Sequence, residues 1–202
     1  MPAMPHEIEV KFKVDGFSAV RRALRRAGAR YVATVIQTDS YYDTPERMLL
    51  MRDCGLRIRR FRCLRSACGA LDTRPLLTAK GPARGDSTAK IRPEAQLRLR
   101  DPRAVVAILE AIGLELTLSI RKRRATYRLC GSLIELDELP VIGRFVEVES
   151  PGKQALDQTC RRLGLAGKRI TDHYVNLLAG AGVSRRARRS FALGRARKNK
   201  AR

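Results

Sequence analysis

Tryptophan is absent from this chain, and phenylalanine and tyrosine occur five times each. So thin an aromatic inventory gives no indication of a platform for stacking bases, and Tyr41 and Tyr42 read as strand or core residues. Cysteine is scarce and odd in number, at five, with no C-x-x-C pair, and there are only two histidines, His6 and His173. Zinc fingers and disulfide scaffolds need closely spaced or evenly paired ligands, so neither fits, and reduced, mostly buried thiols are expected. No run of eighteen apolar residues occurs, which removes a membrane-spanning helix. Glu7 and Glu9 fall where the apolar part of a secretory signal would begin, so a cytoplasmic location without membrane contact is the expectation.

Charge, by contrast, is abundant and one-sided. The formal net charge is +22, which points to a polyanionic partner without naming it. Nine of the basic residues and no acid lie in the last nineteen positions, Ser184 to Arg202. Residues 184–202 therefore read as a disordered basic tail able to touch RNA or another polyanion nonspecifically, by counterion release. Residues 1–183 read as one domain, and more than half of the excess charge stays in it.

Within that body, strands alternate with a few helices. Glu7 to Lys13 has strict period two, with Ile8, Val10 and Phe12 on one face. Phe17, Val20, Leu24 and Ala27 recur at helical spacing and stop at Gly28. Asp101-Pro102 reads as an N-cap and first helical residue. A third helix is expected over about 153–163 and a fourth from Thr171. Strands fill 34–42, 55–61, 76–80, 89–100, 116–129, 133–136 and 144–149, with loops over 62–75 and 81–88. Eight or so strands with few helices predict an α+β fold built on an antiparallel barrel or sandwich.

The polar faces of these strands carry the information. A half-solvated sheet usually mixes Thr, Ser, Lys, Glu and Gln there, but here most of those faces are fully charged. Arg57 and Arg59 share one face, Thr78 and Lys80 another; Arg92 stands with Glu94, Lys122 with Arg124, Glu135 with Asp137, and Glu147 with Glu149. Turned inward in a closed barrel, they give an acidic group (Glu7, Glu9, Asp137, Glu147, Glu149) and a basic group (Lys11, Arg57, Arg59, Lys80, Arg92, Lys122, Arg124). Unpaired ions in a dry interior cost several kcal/mol each. A wet lumen holding a polyphosphate and divalent cations relieves that cost, because carboxylates are hard-metal ligands and guanidinium forks match phosphate. Each strand taken alone is far more often an exposed, ion-paired face, and R-x-R alone could equally be a nucleic-acid face; the ordered set is what counts.

That set resembles the CYTH superfamily of triphosphate tunnel metalloenzymes, which includes class IV adenylyl cyclases, thiamine triphosphatases and inorganic tripolyphosphatases. Glu7-Ile8-Glu9-Val10-Lys11 is similar to its E-x-E-x-K opening. Gln37 to Asp43, Leu56-Arg57-Ile58-Arg59, Leu77 to Pro82, Arg92-Pro93-Glu94, Lys122-Arg123-Arg124, Leu136-Asp137, Gly143 to Glu149 and Asp172 to Leu178 follow in family order. His173 stands where a serine is usual, and Gln96 where an acid often follows Glu94.

The resemblance implies an eight-stranded antiparallel β-barrel with a few flanking helices, open at both ends. It implies Mg²⁺ or Mn²⁺ on Glu7, Glu9, Asp137, Glu147 and Glu149, and a triphosphate on Lys11, Arg57, Arg59, Lys80, Arg92, Lys122 and Arg124. Lys80, Arg57 and Glu94 are the expected catalytic groups, and a homodimer is compatible with it. The class IV cyclase-like branch is the nearest in pattern, but ATP cyclisation and triphosphate hydrolysis both stay open, and a noncatalytic polyphosphate- or RNA-binding module is the alternative.

Overall fold

Alternation of charged and apolar residues over positions 7–13 gives a strand, β1 (His6–Val14), whose two faces meet opposite surroundings. Its apolar face, with Val10 and Phe12, packs outward against α1 (Ser18–Arg26) and α4 (Lys153–Arg162) in a cluster that includes Val20, Leu24, Val146, Val148, Leu156 and Cys160. Its charged face turns into a lumen. The computed structural model describes residues 6–67, 69, 71–83, 89–170 and 174–180. The tail 184–202, Cys68 and His173 lie outside them.

After α1 come β2 (Arg30–Asp43), α2 (Met48–Met51), β3 (Gly55–Ser66), β4 (Leu76–Lys80), β5 (Lys90–Arg98) and α3 (Pro102–Ala111). Then follow β6 (Glu115–Leu129), β7 (Ser132–Leu139), β8 (Gly143–Glu149), α4, β9 (Arg169–Ile170) and α5 (Tyr174–Gly180). The strand order is β5-β4-β3-β2-β6-β7-β8-β1, and β1 returns to β5 through His6↔Pro93 to Glu9↔Lys90, so eight antiparallel strands close into a barrel. The ninth strand, β9, pairs with Lys11 and Phe12 on the edge of β1 beyond that seam. The α+β barrel read from the sequence is the fold observed, and no described helix is long and apolar enough to cross a membrane.

Local chemistry explains the joints that set register. Cys130 and Gly131, both at positive φ (49° and 82°), form the two-residue turn between β6 and β7, the geometry whose twist suits a tight hairpin. That turn sets Arg124 directly across from Asp137. Asp101 caps α3, accepting from the backbone N–H of Arg103 (2.9 Å) and Ala104 (3.1 Å), as its sequence position predicts. Gly81 follows Lys80 where a Cβ would lie 2.6 Å from the ring of Pro93. Only glycine lets the end of β4 run so close to β5.

Some expectations are corrected. β2 starts at Arg30 rather than near 34, and β3 runs through 62–66, which the sequence assigns to a loop, because the long β2 edge pairs with it around a bulge at Thr34/Val35. The short helix α2 has no sequence signature of its own; Asp43 organises it by accepting from the N–H groups of Leu49 (2.9 Å) and Leu50 (3.1 Å). Among the described cysteines only Cys160 is buried. Cys63 and Cys130 are exposed, one on the extended end of β3 and the other in the β6–β7 turn.

Candidate active site

The lumen is a cavity of about 830 Å³. Glu7, Glu9, Lys11, Arg57, Arg59, Lys80, Arg92, Glu94, Lys122, Arg124, Glu147 and Glu149 all line it. Period-two alternation on six strands is sufficient reason, since each strand sends every second side chain to the same face. Asp137 is the exception among the residues singled out from sequence. It sits behind the lining, fully buried.

Asp137 is held by three groups. Lys122 Nζ donates to it at 2.7 Å, Arg124 Nε at 2.6 Å and the Tyr174 hydroxyl at 2.9 Å. Arg124 spreads over Glu135 and Glu147 as well. Lys11 meets Glu147 at 2.9 Å, and Lys80 meets Glu7 and, at 2.6 Å, Glu94. On the opposite wall Asp39 accepts from Arg59 Nε at 2.7 Å and Arg57 at 3.4 Å, with Gln37 Nε2 at 3.1 Å. Arg92 reaches the Asp53 carboxylate at 3.0 Å. Two guanidinium nitrogens in this ring, Arg57 Nε and Arg92 Nε, are buried with no hydrogen-bond partner.

The ionisation pattern follows from these contacts. Burial pushes the Glu7 carboxyl up to about 8, aided by the charge of Glu9, and pushes Glu149 up to about 7, aided by Glu135 and Glu9. Burial works against the charged form of Lys11, but Glu147 and Glu9 outweigh it and hold the ammonium above its ordinary value. Asp39 likewise overcomes burial because Arg59 and Arg57 hold it well below the usual carboxylate range. The lumen thus divides into a wall of mutually repelling carboxylates on β1, β7 and β8 and a basic wall on β3, β4, β5 and β6.

The two ends differ. At one, Tyr174 and Leu178 of α5 pack against Leu118, Ile120, Leu139 and Phe145, and the Tyr174 ring lies under Lys11 (5.0 Å) and Lys122 (4.7 Å). At the other, Val35, Phe61, Leu76 and Leu133 line the cavity.

A barrel of this topology with cations and carboxylates facing one lumen has relatives. The family model for the CYTH domain matches residues 5–162. This chain belongs to the CYTH family. The CYTH chain is 27% identical over 143 residues to the Methanocaldococcus jannaschii protein named Putative adenylate cyclase MJ0240, covering 71% of itself and 75% of that relative. Among solved structures it matches the PH1819 protein of Pyrococcus horikoshii OT3 with a TM-score of 0.72 and 27% identity, over 86% of this chain and 98% of that one. The PH1012 protein of the same organism matches with a TM-score of 0.67 and 25% identity, over 85% and 98%.

Four participants in this CYTH lumen escape the sequence-derived candidate list: Gln37, Asp39, Glu135 and Tyr174. Gln37 and Asp39 stand two apart on one face of β2, and Glu135 shares the face of Asp137, so period two carries the signal for all three. No local signal places the Tyr174 hydroxyl on Asp137, because that contact joins residues 37 positions apart.

Proposed function

We propose that this CYTH protein is a divalent-metal-dependent enzyme that acts on an organic triphosphate, with the phosphates in the barrel and the organic head at the apolar end, in an adenylyl cyclase-type reaction. The observation that carries the reading is the basic ring itself, with two buried guanidinium donors, Arg57 Nε and Arg92 Nε, still without an acceptor. A buried donor without a partner costs about 1–3 kcal/mol, and phosphate oxygens are suitable acceptors. The name of the archaeal relative supports the cyclase branch. The lining at the apolar end, Val35, Phe61, Leu76 and Leu133 with the Arg98 guanidinium 5.6 Å over the Phe61 ring, favours a substrate with a carbon-rich head over inorganic triphosphate.

The carboxylates fit a hard dication in chemistry. Burial first, and then their mutual repulsion, raises Glu7 and Glu149, and a bound cation would offset both. As the side chains stand, no three described metal-ligating residues are grouped to hold an ion, because Glu7 rests on Lys80 and Glu147 on Lys11 and Arg124. Glu7, Glu9, Glu147 and Glu149 are the residues that would hold the metal, and Asp137, engaged on three sides, serves as the anchor of Lys122 and Arg124. When bound, Mg²⁺ or Mn²⁺ would supply Lewis-acid polarisation of phosphoryl oxygens.

The protein's own groups then bind and orient. Arg59, Lys122 and Arg124, fixed by Asp39 and Asp137, hold the phosphates with little reorganisation. Arg57 and Lys80 face the charge that develops on the leaving phosphates, and Glu94 orients Lys80. In the cyclase reaction the ribose 3′-hydroxyl loses its proton to water as its oxygen bonds to the α-phosphorus, the bond from that phosphorus to the α–β bridging oxygen breaks, and pyrophosphate leaves. Incubation with ATP, thiamine triphosphate or inorganic triphosphate and either metal, with cyclic AMP, pyrophosphate and phosphate all quantified, tests this. Cyclic AMP with stoichiometric pyrophosphate is expected. Phosphate release alone would replace cyclase by triphosphatase, and no turnover of any substrate would leave a binding module.

A further inference from the structure

The outer face of the barrel carries basic residues that the lumen does not explain. Arg59, Phe61 and Lys122 face the cavity, so Arg60 and Arg62 on β3 and Arg121 and Arg123 on β6 face outward. β2 runs between them. Thr38 is opposite Arg60 on one side and Arg121 on the other, and Ile36 is opposite Arg62 and Arg123. Four arginines therefore bracket two neutral residues in two parallel rows. Strand geometry sets about 6.8 Å between members of a row and about 9.6 Å between rows.

In the lumen, Lys11, Arg59, Lys80, Lys122 and Arg124 each rest on a carboxylate. Outside, none of the four arginines makes an ion pair or a side-chain hydrogen bond among the described residues, and all but the half-buried Arg121 are exposed. The carboxylate facing Arg123 across the ladder, Glu138, is bound to Arg144 at 3.0 Å. No acid lies on the outward face of β2 or β3 beside them. Gathering like charges on neighbouring strands is unfavourable by fractions of a kcal/mol per contact, and the acids nearest the outer face, Glu138 opposite Arg123 and Glu110 on α3, form no ion pair with the four arginines.

We propose that this outward arginine tetrad is a docking surface for the phosphodiester backbone of a nucleic-acid strand. Guanidinium forks in two rows match discrete phosphate anions. The floor between the rows, Ile36 and Thr38, has no aromatic for base stacking, and its one apolar side chain, Ile36, is half-buried and does not project to enter a lipid layer. Contact is thus with the backbone and is independent of sequence. The surface lies on the outside of the wall whose inner face holds the triphosphate site, so it works independently of that reading.

The experiment uses the full chain and a labelled single-stranded oligonucleotide of mixed sequence, followed by fluorescence anisotropy across a salt series. The variant R60Q/R62Q/R121Q/R123Q is compared with a charge-matched control, R21Q/R22Q/R25Q/R26Q on the exposed face of α1. Each phosphate contact on a single strand contributes about 0.7 to the salt slope, so losing four should flatten it by about 3 and weaken binding more than tenfold at low salt. The α1 control should change far less. A charge-reversed pair, R62E/R123E, gives a second reading with fewer substitutions, and unchanged thermal melting confirms folding. Equal losses in tetrad and control variants, or wild-type binding by the tetrad variant, would overturn the proposal. So would binding to phosphatidylserine vesicles without binding to the oligonucleotide.

Discussion

Replacing Asp137 with Asn keeps the size of the side chain and removes its charge. The wild-type carboxylate is wholly buried and compensates two cations, Lys122 at 2.7 Å and Arg124 at 2.6 Å, while accepting from Tyr174. Breaking a buried ion pair typically costs about 3–5 kcal/mol. Arg124 keeps Glu135 and Glu147, whereas Asp137 is the carboxylate to which Lys122 is bound, so the lower end, about 3 kcal/mol, applies. In a domain of this size each kcal/mol shifts the melting temperature by about 2–4 °C, predicting a fall of roughly 6–12 °C by calorimetry without ligand. The cations so exposed should prize an incoming anion, and saturating triphosphate should raise the melting temperature of D137N more than that of wild type. A melting temperature within about 2 °C of wild type, with loss only of metal-induced stabilisation, would refute this. It would make Asp137 a metal ligand instead.

Three more outcomes are expected. Glu149→Gln should abolish metal-dependent turnover while melting at or above the wild-type temperature, because it removes a carboxylate that burial, Glu135 and Glu9 already disfavour; full turnover in E149Q would remove Glu149 from the metal site. Phe61→Ala should raise KM for ATP about tenfold, as loss of a stacking contact worth ~1.4 kcal/mol would, and leave that for inorganic triphosphate unchanged; equal effects on both would displace the head group from this end. The Asp39 carboxyl is held below its ordinary 3.8 by Arg59 and Arg57 despite burial, so its contribution to stability is complete above that value and is lost as pH falls through its lower folded value. The melting-temperature gap between wild type and Asp39→Asn should therefore be widest at neutral pH and close under strong acid, and a pH-independent gap would contradict the pairing.

The parts of this site that follow period two were legible in the sequence. Arg57 with Arg59, Lys122 with Arg124 and Glu147 with Glu149 face the lumen because a strand leaves no other choice once its apolar residues have a core to meet. What alternation cannot give is which charge answers which. That Asp137 backs Lys122 and Arg124 rather than lining the cavity depends on the twist and closure of the barrel and on the arrival of α5. The extra strand length at 62–66 was hidden for a similar reason: an arginine-rich, weakly apolar segment becomes a strand only because the long edge of β2 is there to pair with it. α2 depends on Asp43, whose carboxylate reaches N–H groups six and seven residues ahead.

The seam described between β1 and β5 has a temporal consequence. β1 carries Glu7, Glu9 and Lys11, yet its partners are β5, which begins at Lys90, and β8, which ends at Glu149. On a ribosome β1 is made before either partner, and its apolar face has α1 to pack on but lacks β8 and α4 until those later elements have emerged. Contacts so distant in sequence are slow to form and leave an aggregation-prone interval. Glu7 and Glu9 are therefore translated long before Glu135, Glu147 and Glu149, which share their wall, and the lumen is complete only when the barrel shuts.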